Sequence, residues 1–107
     1  MPVHSPKKWL FIAALVFISP ETPGVFELWE DDELIYVGTT RRPHESIRAS
    51  LIRHFRKEGG GDHPPTHFSW EVSYQPASRK RELLVEFEAL NKRRPRFNRS
   101  EAKHPPG

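Results

Sequence analysis

The chain has 107 residues, 36% of them hydrophobic, which suffices for one domain with a modest core and not for two. It contains no cysteine, so disulfides, thiolate nucleophiles and Cys-ligated zinc are excluded, and a cytoplasmic location is expected. Seventeen Lys and Arg against fourteen Asp and Glu leave a net charge of +3; the cations concentrate in residues 41–57 and 79–99, which suits a polyanionic partner.

Residues 7–18, KKWLFIAALVFI, imitate a secretory signal, with two lysines ahead of an apolar run. The run is about ten residues, well short of the roughly 20 that span a bilayer, and it lacks an A-x-A-like cleavage site. It reads as a short buried helix or strand, making residues 1–20 an N-terminal apolar segment packed on the domain, with no membrane partner. Pro20 and Pro23 then break the chain, and Gly24 lets the backbone turn into residues 24–38, GVFELWEDDELIYVG. Two arms rich in aromatic and β-branched residues around an acidic turn predict a β-hairpin. The turn, Glu30 to Glu33, has neither Gly nor Asn, which predicts a loose connection rather than a tight two-residue one.

After a loop over 39–45, a helix is expected from residues 44–46 to about 57, where Ile47, Leu51 and Phe55 form a stripe at helical period. Arg48 falls within that stripe, which for a charged side chain calls for a reason. Residues 57–65, with three consecutive glycines and two prolines, predict a loop. Residues 66–74 alternate cleanly, Phe68, Trp70, Val72 and Tyr74 on one face and His67, Ser69, Glu71 and Ser73 on the other, as in a strand with one solvated face. Pro76 ends it, and Ser78 is positioned to cap a helix over 79–92 that buries Leu83, Leu84, Phe87 and Leu90, with Glu86 at the border of the apolar face. Residues 99–107 lack periodicity and read as a flexible tail. The fold class is α+β: one domain over 21–98, a small antiparallel three-stranded sheet flanked by helices.

This pattern resembles the GIY-YIG nuclease domain, a module of nucleotide-excision-repair nucleases, some homing endonucleases and some restriction enzymes. Gly24-Val25-Phe26 and Tyr36-Val37-Gly38 stand for the two named triplets. Glu86, followed twelve residues later by Asn98 in Pro95-Arg96-Phe97-Asn98, stands for the downstream signature, so that the resemblance covers residues 24–98. It implies a metal-dependent endonuclease acting on DNA or a related nucleic acid. Glu86 would hold Mg²⁺ or Mn²⁺, Tyr36 would help deprotonate the attacking water, an arginine would stabilise charge on the phosphoryl group, and Asn98 would close the site. One carboxylate suffices for Mg²⁺, which fills its other positions with water and phosphate oxygens. The alternatives are an edge Glu86 paired with Arg79 or Arg93, and a Tyr36 that only packs.

Two residues depart from the family. Phe26 stands where the first triplet usually ends in tyrosine, and a phenyl ring can neither accept a proton nor orient water. Counting back four residues from His54, the arginine position is occupied by Ser50; Arg48 is the closest substitute, although two residues turn a helix by about 200°. His54 matches a position some members use to contact water or phosphate, and is equally an ordinary helix-surface histidine. Arg41, Arg53, Lys92, Arg93, Arg94 and Arg96 are candidate nucleic-acid contacts. Trp29 and Trp70 read as core before base-stacking residues. The other readings are a nucleic-acid-binding module with little or no catalysis and a protein-interaction domain built on the apolar N-terminal segment, and the oligomeric state stays open, a dimer or a partner protein being possible sources of specificity.

Overall fold

The computed structural model describes residues 8–41, 45–58 and 65–98. The expected loop over 57–65 lies largely, and the expected tail wholly, outside the described residues. The chain forms β1 (Trp9–Leu10), α1 (Ala13–Val16), β2 (Gly24–Glu30), β3 (Glu33–Thr39), α2 (Ile47–Glu58), β4 (His67–Val72), α3 (Pro76–Asn91) and a 3-10 turn at Arg96–Asn98. The sheet is antiparallel with strand order β1-β4-β2-β3. It has four strands rather than three because the apolar N-terminal run divides, its first part pairing with β4 through Trp9 opposite Phe68 and Leu10 opposite His67. The remainder becomes α1, and Phe11 and Val16 enter the core. Among the described residues, no helix is long and apolar enough to cross a membrane.

The acidic turn is tighter than its composition predicts. Glu30 pairs with Glu33, so only Asp31 and Asp32 intervene, with Asp31 at φ 53°. Aspartate tolerates the left-handed region better than most residues, and outside groups hold this one: Asp31 N–H donates to Thr66 Oγ1 (2.6 Å), and Lys8 Nζ donates to the Asp31 carbonyl (2.9 Å).

A bulge in the hairpin decides which side chains reach which face. Leu28 lies opposite Tyr36 and Trp29 opposite Leu34, leaving Ile35 as the extra residue. Ile35 and Tyr36 consequently turn to the same side, against a core of Phe11, Val16, Phe26, Leu28, Ile47, Leu51 and Phe68, while Leu34 and Val37 face the other, with Val25, Leu83 and Leu84. Helix α2 covers the first face and α3 the second. The expected solvated face of β4 is therefore covered as well. Ser69 is fully buried there, accepting from Trp29 Nε1 (2.9 Å) and donating to Glu27 Oε1 (2.9 Å).

Helix α2 starts at Ile47 because Ser46 Oγ accepts from Ala49 N–H (3.0 Å), while the Ile47 and Arg48 N–H groups donate to the carbonyls of Thr22 and Pro20. Helix α3 starts earlier than predicted. Pro76 is its first residue rather than a strand terminator, a place where the missing N–H costs nothing. Its cap is Gln75, not Ser78, and Lys92 stops it in the left-handed conformation, φ 60°. Leu83 and Leu84 are buried as predicted, whereas Leu90 is 57% exposed.

Candidate active site

The two glycine triplets meet on adjacent strands, and packing accounts for both glycines. Gly24 opens β2 rather than a turn. A Cβ there would collide with the Glu71 carbonyl oxygen of the neighbouring strand and lie 2.7 Å from Ile47 Cδ1. Opposite Phe26 stands Gly38, where a Cβ would strike the Phe26 ring and come within 2.8 Å of the Tyr36 ring. With no side chain at Gly38, Phe26 and Tyr36 lean over its backbone and meet His54 from α2. The ring centroids are 6.1 Å apart for Phe26–Tyr36, 5.1 Å for Phe26–His54 and 5.4 Å for Tyr36–His54. Phe26 is 1% exposed; Tyr36 and His54 are half-buried.

Asn98 joins the end of the pattern to its middle. Its Oδ1 accepts from Val37 N–H (2.8 Å) and its Nδ2 donates to the Val37 carbonyl (3.1 Å), across 61 residues of sequence and fully buried. β3 is an edge strand, and the side-chain amide occupies the outward N–H and C=O of one residue as a further strand would. The 3-10 turn that presents it is closed by Asn98 N–H donating to the Pro95 carbonyl.

Arg48 goes elsewhere. Its Nε donates to the Ser19 carbonyl (2.9 Å) and its NH1 pairs with Glu21 (3.2 Å), so it clamps the connection between α1 and β2 onto α2. That explains a charged residue inside the apolar stripe, and it separates Arg48 from the Tyr36–His54 pair. Ser50 shares an acceptor with Arg53: Ser50 Oγ donates a short hydrogen bond to Glu45 Oε1, and Arg53 NH1 donates to the same oxygen (3.0 Å). Burial pushes the Glu45 carboxyl up, but the Ser50 and Arg53 hydrogen bonds and the Arg53 charge outweigh it, and the group lies below its ordinary range. Reading the helix by register alone missed this shared acceptor; the signal was Arg53 one turn beyond Ser50 with an acid just ahead of the helix.

Glu86 lies half-buried on α3, the helix on the opposite face of the sheet from the three rings. Its two candidate arginine partners are engaged elsewhere. Arg79 donates to both Glu71 oxygens (2.6 and 3.1 Å) and to Glu82 (2.9 Å), which raises its pKa further, while Arg93 pairs with Glu33 (3.5 Å). Among the described residues, no three His, Asp or Glu side chains gather as a metal cage. A lone carboxylate outside those pairs fits a cation that draws its other ligands from water and phosphate.

The basic candidates divide by what holds them. Arg96 binds Glu30 (2.7 Å) and Glu33 (3.2 Å), and the Glu30 hydrogen bond, against some burial, raises its pKa. With Arg93 it ties the C-terminal turn to the acidic hairpin. Arg94 pairs loosely with Glu88 (3.6 Å) and Arg53 with Glu45. Lys92 and Arg41 are exposed.

Over 85 residues the chain is 32% identical to UvrABC system protein C of Methanosphaera stadtmanae, a match covering 74% of this chain and 14% of that protein. The chain thus spans a small fraction of the relative's length. No family model matches the chain, and no solved structure does.

Proposed function

We propose that the chain is a GIY-YIG-type domain that engages DNA or a related nucleic acid and hydrolyses a phosphodiester with the help of Mg²⁺ or Mn²⁺. The observation that carries the domain assignment is the buried pair of hydrogen bonds between Asn98 and Val37, which ties the terminal Pro95–Asn98 signature directly to the second glycine triplet; the hydrolase is the further step that the resemblance implies. The similarity to UvrABC system protein C supports the same assignment. Glu86 would hold the cation, which supplies Lewis-acid polarisation of the phosphate and stabilises the leaving oxygen. With Phe26 lacking a hydroxyl, accepting the proton of the attacking water falls to the imidazole of His54, with the Tyr36 hydroxyl beside it (ring centroids 5.4 Å) to help orient that water. Arg53, held beside Ser50, supplies the guanidinium for phosphate charge, and Arg48 braces the scaffold.

A nicking assay with Mg²⁺ or Mn²⁺ on duplex, single-stranded and branched DNA, comparing the wild type with Glu86→Ala, tests this. Metal-dependent cleavage lost in the variant is expected; absence of cleavage on every substrate removes the hydrolase. Phe26 and the capture of Arg48 by Ser19 and Glu21 favour a second reading, a binding module without turnover. That reading predicts salt-sensitive DNA binding that survives Glu86→Ala.

A further inference from the structure

At the start of α3 and along its flank lie two grooves that the site above does not use. The larger, about 690 Å³, runs between the end of β3 and the start of α3, walled by Pro23, Tyr74 and Pro76 with Thr39 and Arg41 at its mouth. The smaller, about 240 Å³, continues along α3 past Lys80, Arg81, Val85 and Arg94, and Ala77 lines both. Tyr74 is 79% exposed, directly after β4 and ahead of Pro76. Such exposure is unusual for a tyrosine with only a packing role.

We propose that these grooves bind an unpaired nucleic-acid strand, one base stacking on Tyr74 in the larger groove while its backbone follows Arg41, Lys80, Arg81 and Arg94. It rests on the reading of the chain as a DNA-engaging domain and adds its substrate class: DNA with a single-stranded segment. Charge selects the partner, since among the described residues four cations and no carboxylate line the two grooves, Glu88 reaching only Arg94, at 3.6 Å. Shape selects the unpaired form. A pocket of this size with rigid proline walls and one exposed aromatic ring accepts a flat face, and a duplex keeps its base faces stacked on each other. The cations beside it supply the sequence-independent phosphate contacts that position such a strand. Arg41 and Arg94 are contact candidates from the sequence; Lys80 and Arg81 are not among them, nor is Tyr74, which sits on the strand's apolar alternation.

The test is fluorescence anisotropy with the full chain in EDTA, using a labelled oligothymidylate of about 12 nucleotides, within the usual single-strand site range, and a duplex of the same length. Tyr74→Ala is expected to weaken oligothymidylate binding by roughly 5- to 150-fold, the loss of one stacked base, and to weaken duplex binding by a smaller factor. Tyr74→Phe retains the ring and most of the affinity. Arg41→Ala and Arg81→Ala each lower the salt slope for the single strand by about 0.7. Equal losses on both DNAs, a Tyr74→Phe loss as large as that of Tyr74→Ala, or no single-strand binding by the wild type at low salt would overturn the proposal. So would a polyglutamate peptide that binds as tightly, which would assign the grooves to an acidic protein segment. Because EDTA removes the metal, the outcomes separate: cleavage without Tyr74-dependent binding refutes this inference alone, and Tyr74-dependent binding without cleavage refutes the hydrolase alone.

Discussion

Asn98 offers the most direct test of how the fold is held. Replacing it with alanine deletes the acceptor for Val37 N–H and the donor to Val37 C=O, at a position with no solvent access. Each stranded buried backbone group costs about 1–3 kcal/mol, and removing the amide's own burial offsets part of that, so a net loss of about 2–4 kcal/mol follows for Asn98→Ala. Against a total of about 5–15 kcal/mol for a domain this is large; at about 4–8 °C per kcal/mol it lowers the melting temperature by about 8–32 °C. Urea titration of both proteins measures it, with an unchanged slope showing that the same cooperative unit unfolds.

Asn98→Asp sharpens the test through pH. The introduced carboxylate still accepts from Val37 N–H but faces the Val37 carbonyl with charge where Nδ2 donated. Burial and that carbonyl raise its folded pKa above the unfolded value, near 3.9 for aspartate. A raised folded pKa means stability present below the unfolded pKa and lost as pH rises through the folded one. Protonated, the group can donate again, so the variant recovers toward the wild type at low pH and falls furthest at neutral pH. An Asn98→Ala loss below about 0.5 kcal/mol, the usual range of surface changes, refutes the structural role.

Gly38→Ala forces the Phe26 and Tyr36 rings apart at about 1–3 kcal/mol, the usual range for overpacking; near-UV circular dichroism should change with it, and Phe26→Leu in the same chain should restore part of the loss. Glu45→Gln lowers stability at pH 7 by about 1.5–3 kcal/mol, the range for hydrogen bonds to a charged group. Because the Glu45 pKa lies below its ordinary 4.5, the stability it adds is present above that value and is lost as pH falls through the folded pKa, so melts of wild type and variant converge in acid. Arg48→Ala lowers the melting temperature, whereas Arg53→Ala lowers cleavage more than stability; the reverse pattern would return Arg48 to the chemistry.

Much of the architecture could be read from the chain because its periodicities are local. The hairpin, both long helices and β4 follow from apolar spacing, and the buried pairs Ile47–Leu51 and Leu83–Leu84 sit where the helical period puts them. The misses were tertiary. Whether the N-terminal run forms strand or helix depended on the open edge of β4, which no window around Trp9 contains. The tight Asp31–Asp32 turn depended on Lys8 and Thr66, and the burial of Ser69 on a Glu27 that alternation counts as polar and outward. The bulge at Ile35 reversed the alternation of β3, and that reversal puts Tyr36 beside His54.

The candidate site was legible as a set of residues and not as a geometry, and the difference bears on what the resemblance can carry. Gly24 and Gly38 are fixed by the close approach of Glu71, Ile47, Phe26 and Tyr36, and Asn98 by an edge strand that needs covering. Each would be retained by a domain that cleaves nothing, so these residues carry the architecture. In the proposed reading the chemistry would rest on Tyr36, His54, Arg53 and Glu86. The first three lie on the α2 face, where Arg53 and Ser50 share the Glu45 carboxylate, and Glu86 lies on α3 across the sheet. In that reading a phosphodiester that engages both would pass the edge of β3 beyond Val37, the residue that Asn98 covers, on the side where the strand's last residue, Thr39, lines the larger groove. A strand entering along Arg81 and Tyr74 would reach that edge first, so Tyr74→Ala should raise KM for a substrate with a single-stranded segment while leaving less effect on kcat. A change confined to kcat would separate the grooves from the path of the substrate.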